Sequence, residues 1–563
     1  MRGGLAGSAN LLGWGLLGVL ILLVLAPLAV LIKASLTPAG QLPLETWRLS
    51  LENFARLLDT DTLLVMRNTL VYAAGTVGFA TVIGTTLAWL TERTDMPGRV
   101  PLRIMLFSWM AIPPLVIGYG WILLINPGSG ALNVFVRWLT NGVVSFNLYS
   151  MWTLIIVTAF ALVPTTFVMM AGLLRNMDPQ LENAALVSGA SRPSVIRKIT
   201  VPLLTPGLIS VMIYTFMSVI QTFDLPAIIG ITARIPVLST RVYLLSSPDM
   251  GIPNYGVSAA LGILLLILAA GLIHLYFRFV GIGDRFRVVG GRSFRPTRIQ
   301  LGRFRYPVAL LVLCYLLITI LPVLIIAWTS VLPVYQVPSL DALSKVSFAT
   351  FERVLGQPFV LRALANTALL VMLSATLVMV LASFIAWLSV RQSGPIARTI
   401  DVVAFIPTAI PPIVIVMAIV LLYLRTPLYG TIWVIVLAHV SVYVAFGART
   451  MTSALAQLHK ELGDAALVSG ATGFTTLRRI ILPLVRPQLL NGWIWVAAHS
   501  ARDLTAPLLL MTSSSMVAST VIWTMWDLPD LPGASAVSVL LVLGLLVFVV
   551  PLQILISREG DRT

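Results

Sequence analysis

The stretch Leu181-Glu182-Asn183-Ala184-Ala185-Leu186-Val187-Ser188-Gly189-Ala190, with its sequel through Ile199, Pro202 and Pro206, occurs twice. It returns as Leu462-Gly463-Asp464-Ala465-Ala466-Leu467-Val468-Ser469-Gly470-Ala471, running on to Ile480, Pro483 and Pro487. The two copies stand at offset 281, about half the chain, and 181–208 match 462–489 at 14 of 28 positions without a gap. Each copy is an amphiphilic island between long apolar runs. A chain that repeats a loop more faithfully than its apolar runs has a use for that loop.

The surroundings of the islands set the fold class. Hydrophobic residues make up 58% of the chain and charged ones 10%, far from a soluble composition. Apolar runs long enough to cross a bilayer recur throughout, which predicts an all-α polytopic membrane protein. The spans expected in the first half are 11–32, 65–91, 101–126, 150–175, 206–231 and 254–280. Those of the second half are 306–330, 363–390, 399–424, 430–456, 487–512 and 534–556. The halves repeat beyond the islands. Asn68-Thr69, Ala88-Trp89-Leu90 and Ile112-Pro113-Pro114 reappear as Asn366-Thr367, Ala386-Trp387-Leu388 and Ile410-Pro411-Pro412, all at offset 298. The drop from offset 298 to offset 281 makes the second half shorter, by that difference, between the Ile-Pro-Pro and the island. The division expected is 1–280 (core 65–280, island loop 176–205), an Arg-rich linker 281–305, and 306–563 (core 363–556, island loop 457–486).

Charge orients the chain. The net charge is +16, and the linker alone holds seven arginines against Asp284. Basic short loops at 92–103, 176–204, 281–305, 391–398 and 457–486 fall on one side of a twelve-span chain, while loop 513–532 has Asp527 and Asp530 and neither Lys nor Arg. The positive-inside rule then makes both termini and both islands cytoplasmic. Six spans per half gives the repeats one orientation, related by a pseudo-two-fold axis along the membrane normal. Anionic lipid is a further partner of the basic loops; nucleic acid is not expected.

Several chemistries are excluded. Cys314 is the only cysteine, so no intrachain disulfide forms. The histidines (His274, His439, His459, His499) make no H-E-x-x-H, and no metal site or cofactor is expected. None of Lys33, Lys198, Lys345 and Lys460 follows a glycine, so no P-loop exists. The chain is expected to be no enzyme; if ATP drives it, another chain binds the ATP.

Ala-Ala-Leu-Val-Ser favours a short helix with a small-residue face after the turns at Asp178-Pro179 and Leu462-Gly463, and Gly189 and Gly470 permit a left-handed stop. Pro202 and Pro206, like Pro483 and Pro487, are expected to interrupt the helix ahead of the fifth span. That span carries a carboxylate in each half, Asp224 and Asp503. An acid inside hydrocarbon is a functional candidate because the bilayer penalises charge, and these are candidates for the translocation path. His499 precedes Asp503 by four residues and shares its helix face, so those two are expected to be able to pair; Arg502 is a second candidate partner.

The pattern E-A-A-x-x-x-G followed by I-x-x-P resembles the cytoplasmic loop of permease subunits of binding-protein-dependent ABC importers. The resemblance covers nearly the whole chain, as two fused permease domains, and implies the type I importer fold. It implies that each island is a coupling helix docking in a cleft of an ATPase subunit, through Ala184, Ala185 and Gly189 and through Ala465, Ala466 and Gly470. The motif acid stands at Asp464 in copy two; copy one has Asn183 there, with Glu182 one residue earlier, about 100° around a helix. The resemblance also implies two ATPase subunits, an extracytoplasmic substrate-binding protein and residence in a bacterial inner membrane. Fused permeases of this length, with Asp224-Leu225-Pro226-Ala227 and Pro236-Val237-Leu238-Ser239-Thr240 after the fifth span, resemble the ferric-iron branch. Thiamine, phosphonate or another small solute is the alternative cargo. The alternative class is a gradient-driven secondary transporter coupled through acids such as Asp224 and Asp503.

Overall fold

The computed structural model describes residues 12–560 apart from 39, 42–44, 176, 178–179, 248–252, 285–298, 392–393, 460, 462–464 and 467. The expected turns at Asp178-Pro179 and Leu462-Gly463, the acid Asp464 and most of the Arg-rich linker lie outside the described residues.

The first half runs α1 (Leu12–Ser35), α2 (Thr60–Arg93), α3 (Arg99–Trp109), α4 (Pro114–Ile125), α5 (Ala131–Leu139), α6 (Met151–Arg175), α7 (Gln180–Val187), α8 (Arg192–Gln221), α9 (Leu238–Ser246) and α10 (Tyr255–Asp284). The second runs α11 (Gly302–Ser330), α12 (Pro358–Arg391), α13 (Pro395–Phe405), α14 (Pro412–Tyr423), α15 (Ile432–Ala456), α16 (Leu477–Leu484), α17 (Arg486–Arg502), α18 (Thr505–Leu510), α19 (Ala518–Asp527) and α20 (Leu531–Gly560). Among the described residues nine helices are long and apolar enough to cross a membrane, or up to twelve if each bent pair is one span.

The repeated Ile-Pro-Pro explains two of the bends. Pro113 and Pro411 are extended, Pro114 and Pro412 open the next helix, and the axes turn by 107° and 109°. Proline at the first helical position forfeits no hydrogen bond, whereas inside a helix it would. The expected continuous third span is therefore a broken one in both halves. The repeated Asn-Thr also has one job twice. Thr69 Oγ1 accepts from Leu238 N at 2.9 Å and Thr367 Oγ1 from Ala518 N at 2.8 Å. Asn68 Nδ2 donates to Pro236 O and Asn366 Nδ2 to Met516 O. Each pair satisfies backbone that an unsupported loop would bury unpaired, and so pins α9 and α19 to α2 and α12.

The halves embrace crosswise. α1 packs on α10 of its own half and on α14 of the other; α11 packs on α4 of the first half and on α20. The α4–α11 crossing is close because Gly120 is there: a Cβ would sit 2.2 Å from Pro322 O. Tyr119 stacks on Trp526 at 3.9 Å, adding a second contact between the halves.

Two expectations about the fifth span are corrected. Pro202 and Pro206 do not interrupt copy one: the helix runs from Arg192 to Gln221, with a π-helical turn at Ile196–Thr200 just ahead of Pro202. The same wider turn, Leu477–Ile481, precedes Pro483, so it accommodates the first proline in both copies, and the difference arises at the second, since Pro206 sits inside its helix. In copy two the same region does bend, by 73°, at Val485 between Pro483 and Pro487. The second correction is at the other end. Neither helix continues to 231 or 512; they stop at Gln221 and Arg502, where Thr222 and Asp503 turn extended with ψ 130 and 133.

Candidate functional site: two islands and a polar centre

Island one is helix α7, and none of its residues is buried. It ends as its glycine requires. Gly189 has φ +87, Gly189 N donates to Leu186 O and Ala190 N to Ala185 O, both at 3.0 Å. This is a Schellman stop, and an L side chain at that φ is strained. Island two repeats it: Gly470 has φ +84 and Ala471 N donates to Ala466 O at 3.0 Å. Open space surrounds both glycines where a Cβ would stand. Ala184 and Ala465 are exposed, Ala185 is half-buried, and Ala466 is buried. The equivalent valines stand out most, Val187 at 90% exposed and Val468 at 89%.

Beneath island one lies a network of ion pairs. Glu182 reaches inward, taking Arg93 Nη1 at 3.0 Å and Thr200 Oγ1 at 2.6 Å. Arg93, at the end of α2, is 2% exposed. Beside it Glu92 accepts from Arg103 at 2.6 Å and from Arg175 at 2.9 Å. One acid thus ties α2 to α3 and α6, and the next residue ties α2 to α7 and, through Glu182, to the π turn opening the fifth span. The end of the linker joins in: Ile299 N donates to Arg93 O at 2.8 Å and Leu301 N to Asp95 Oδ1 at 2.8 Å. Asn183, at the position of the motif acid, is exposed.

The second site is the centre, where the fifth spans break. At offset 281 Thr222 matches Asp503 and Asp224 matches Thr505. Thr505 Oγ1 donates to Asp224 Oδ1 at 3.4 Å, so two equivalent positions touch across the halves. Equivalent positions touch only near the axis relating them, which places this contact on the pseudo-two-fold. Asp503 accepts from Thr505 N at 3.2 Å and Ala506 N at 3.1 Å, capping α18 as carboxylates do at helix starts. Its Oδ2 also lies 2.9 Å from Nε2 of His439, a histidine of α15 that is 1% exposed. Arg502, Asp503, Asp224 and Tyr443 are electrostatic neighbours.

The expected His499–Asp503 pair is not made. His499 Nδ1 faces Trp495 O at 2.9 Å, its Nε2 faces Arg502 Nη2 at 2.8 Å, and its ring stacks on Trp495 at 3.6 Å. The helix ends between them, so a four-residue spacing no longer means a shared face. Arg502 does not pair with Asp503 either; its Nη1 bonds Met110 O of the first half, at the break of the third span. Sequence reasoning missed the contribution of His439, Arg93 and Thr200. A histidine in the apolar face of α15 and an arginine closing a long apolar helix were the available signals. Among the described residues no three His, Cys, Asp or Glu come together as metal ligands.

Comparison with known proteins agrees with this architecture. The model of the family "Binding-protein-dependent transport system inner membrane component" matches twice, at residues 80–278 and 367–558. Among curated relatives, a probable ABC transporter permease of Sinorhizobium fredii is 26% identical over 75% of this chain and 74% of its own. A putative ferric transport system permease, FbpB 1 of Haemophilus influenzae, is 25% identical over 82% of this chain and 72% of its own. Among solved structures, a bacterial alginate ABC transporter is 17% identical over 43% of this chain and 85% of its own, with a TM-score of 0.36. With both repeats matched, the chain belongs to the family of binding-protein-dependent transport system inner membrane components, as a permease with two copies of the domain.

Proposed function

We propose that the chain forms the whole membrane passage of an ATP-driven importer of ferric iron, moved by two ATPase subunits docked on the islands. The observation that carries this is the pair of small-residue segments, repeated at offset 281 and each closed by an exposed left-handed glycine. A gradient-driven carrier has no evident need to keep two such surfaces. Ala184, Ala185 and Gly189 form one docking surface and Ala465, Ala466 and Gly470 the other. Asn183 and Asp464 face the ATPase, and Glu182 acts as a positioning residue through Arg93. Pro202 and Pro483 set the launch of each fifth span, so that movement of an island becomes movement of that span. The functional units are 1–280 and 306–563, joined by the 281–305 linker, with both termini and both islands cytoplasmic.

Asp224 and Asp503 line the path where the halves meet. The Thr505–Asp224 and Arg502–Met110 bonds cross between halves, so separating the halves for passage breaks them. Ferric iron as cargo rests on the similarity to ferric transport permeases over most of the chain. An extracytoplasmic binding protein would deliver it. The test is uptake into proteoliposomes holding the permease and its ATPase, supplied with iron-loaded binding protein. ATP-dependent accumulation of labelled iron, unaffected by excess thiamine or phosphonate, is expected. ATP-dependent uptake of one of those solutes instead would refute the cargo while leaving the class intact.

A further inference from the structure

The extra length of the first half, between its Ile-Pro-Pro and its island, forms a feature of its own. Segment 126–150 joins α4 to α6, whereas the much shorter 424–431 joins α14 to α15. The longer connection holds α5, on the membrane face opposite the islands, since α6 leads from it to island one.

This helix is built inside out. Its buried residue is polar: Asn133, 0% exposed, donates from Nδ2 to Ile125 O at 2.8 Å and Phe146 O at 3.0 Å, and accepts from Phe146 N at 2.7 Å. Its opposite face is apolar and open. Phe135, Trp138 and Leu139 follow helical spacing and are 55%, 74% and 64% exposed. The only charge between 126 and 150, Arg137, is spent on Pro127 O at 2.7 Å and Gly128 O at 3.0 Å. Amphipathic helices in water put apolar residues inward; this one is made for a non-aqueous surrounding on its outer side.

What surrounds it follows from continuity. Asn147, next to the Asn133-bonded Phe146, accepts Thr153 Oγ1 through its carbonyl and holds the chain against the first turn of α6. There Trp152 and, one turn on, Ile156 are exposed at 65% and 39%. An exposed apolar stripe on a membrane span faces lipid, and Trp and Tyr gather at the level of the headgroups. Tyr149 and Trp152, 43% and 65% exposed, stand at the start of that stripe.

We infer that α5 and the loop that follows it, residues 131–150, are a lipid-anchored surface element of the first half, with Phe135, Trp138, Leu139 and Val143 seated in the headgroup–acyl boundary of the leaflet opposite the islands. The tilt of α4 and α6 is thereby referred to the membrane plane in the first half, and the second half has no such anchor in its short 424–431 connection.

The test uses the full permease with its ATPase in phosphatidylethanolamine–phosphatidylglycerol nanodiscs. In a Cys314→Ser background, spin labels are placed singly by Trp138→Cys and Val143→Cys, with Trp152→Cys as the lipid-facing reference. Power saturation should show each label several times more accessible to oxygen than to a water-soluble nickel chelate, as at the reference. Val143, in a loop at 84% exposed, makes no packing contribution, so its variant reports even if Trp138→Cys destabilises the protein. Labels more accessible to nickel would place the helix in water and overturn the inference. Labels shielded from both reagents, or immobilised only when binding protein is added, would make it a protein-docking surface and overturn it equally.

Discussion

The island-bearing ends of the two halves carry the same motif on different mountings. In the first half Glu92, Arg93, Arg103, Arg175, Glu182 and Thr200 knit four helices and the island together. At the matching positions of the second half stand Val390, Arg391, Asp401, Ala456, Gly463 and Ile481. Only the first arginine is kept. Asp401 turns to Arg449 at 3.7 Å, and Arg449 lies 4.2 Å over the Phe405 ring. The fifth span is continuous above island one and bent by 73° above island two. The lesson is that the repeated motif was held constant while its attachment diverged. The motif acid follows this division: copy one spends its carboxylate inward on its own half, and copy two keeps one at the motif position.

The largest effect expected is on the shared element. Gly470→Leu and Gly189→Leu each place a side chain at a left-handed φ, costing about 1–2 kcal/mol, and fill space that is open beside the glycine. ATP-driven import should fall by about tenfold or more for each, as ~1.4 kcal/mol lost at a docking surface does, with the spans still folded. Unchanged uptake by either variant would mean that its glycine is ornamental. Next comes the difference in mounting. Glu182→Gln leaves Arg93 buried against a neutral partner and should cost about 2–4 kcal/mol of stability. Asp464→Asn should leave thermal stability alone and weaken association with the ATPase. Equal destabilisation by both, in matched denaturation curves, would erase the contrast between the halves.

The same contrast recurs at the centre on a smaller scale. Asp503 has three polar partners and Asp224 has one from the other half. Asp503→Asn should therefore cost about 2 kcal/mol and Asp224→Asn less than about 1 kcal/mol, while both slow import. A double-mutant cycle pairing Asp503→Asn with His439→Ala should show coupling; additive effects would remove His439 from the site. The smallest effect is at the opposite membrane face. Arg353 holds Asp530 through two bonds of 2.8 and 2.9 Å. Burial pushes the Asp530 carboxyl up, but Arg353 and the Gly533 N–H outweigh it and hold the group below its ordinary range. Stability from this pair is thus present above the ordinary carboxylate range and lost as pH falls through the lowered value. Arg353→Gln should cost at most about 1 kcal/mol and flatten the acid limb of the stability–pH curve.

Repeats and composition make much of this legible in advance. The offsets of 281 and 298 expose two halves, and the Gly189 and Gly470 stops follow from residue type alone. What stays hidden depends on where helices end. Breaks at Ile-Pro-Pro and after Gln221 and Arg502 redirect side chains that periodicity aligns, which is why spacing pairs His499 with Asp503 and passes over His439. Asp224 meets the Asp503 segment through Thr505 of the other half, a contact that spacing along one chain cannot show. Pro202 misleads for a local reason, since a π turn can carry a proline that an α turn cannot. The ion pairs under island one join positions far apart in the chain, such as Arg93 and Glu182, and leave no pattern in the sequence.

The central claim is that two matched knobs receive work done by a separate nucleotide-hydrolysing subunit. Its most direct test is solute accumulation by the purified permease in liposomes, with and without the ATPase. Uptake only when the ATPase, ATP and binding protein are all present is the predicted result. Accumulation driven by a proton or sodium gradient, with no ATPase added, would contradict it.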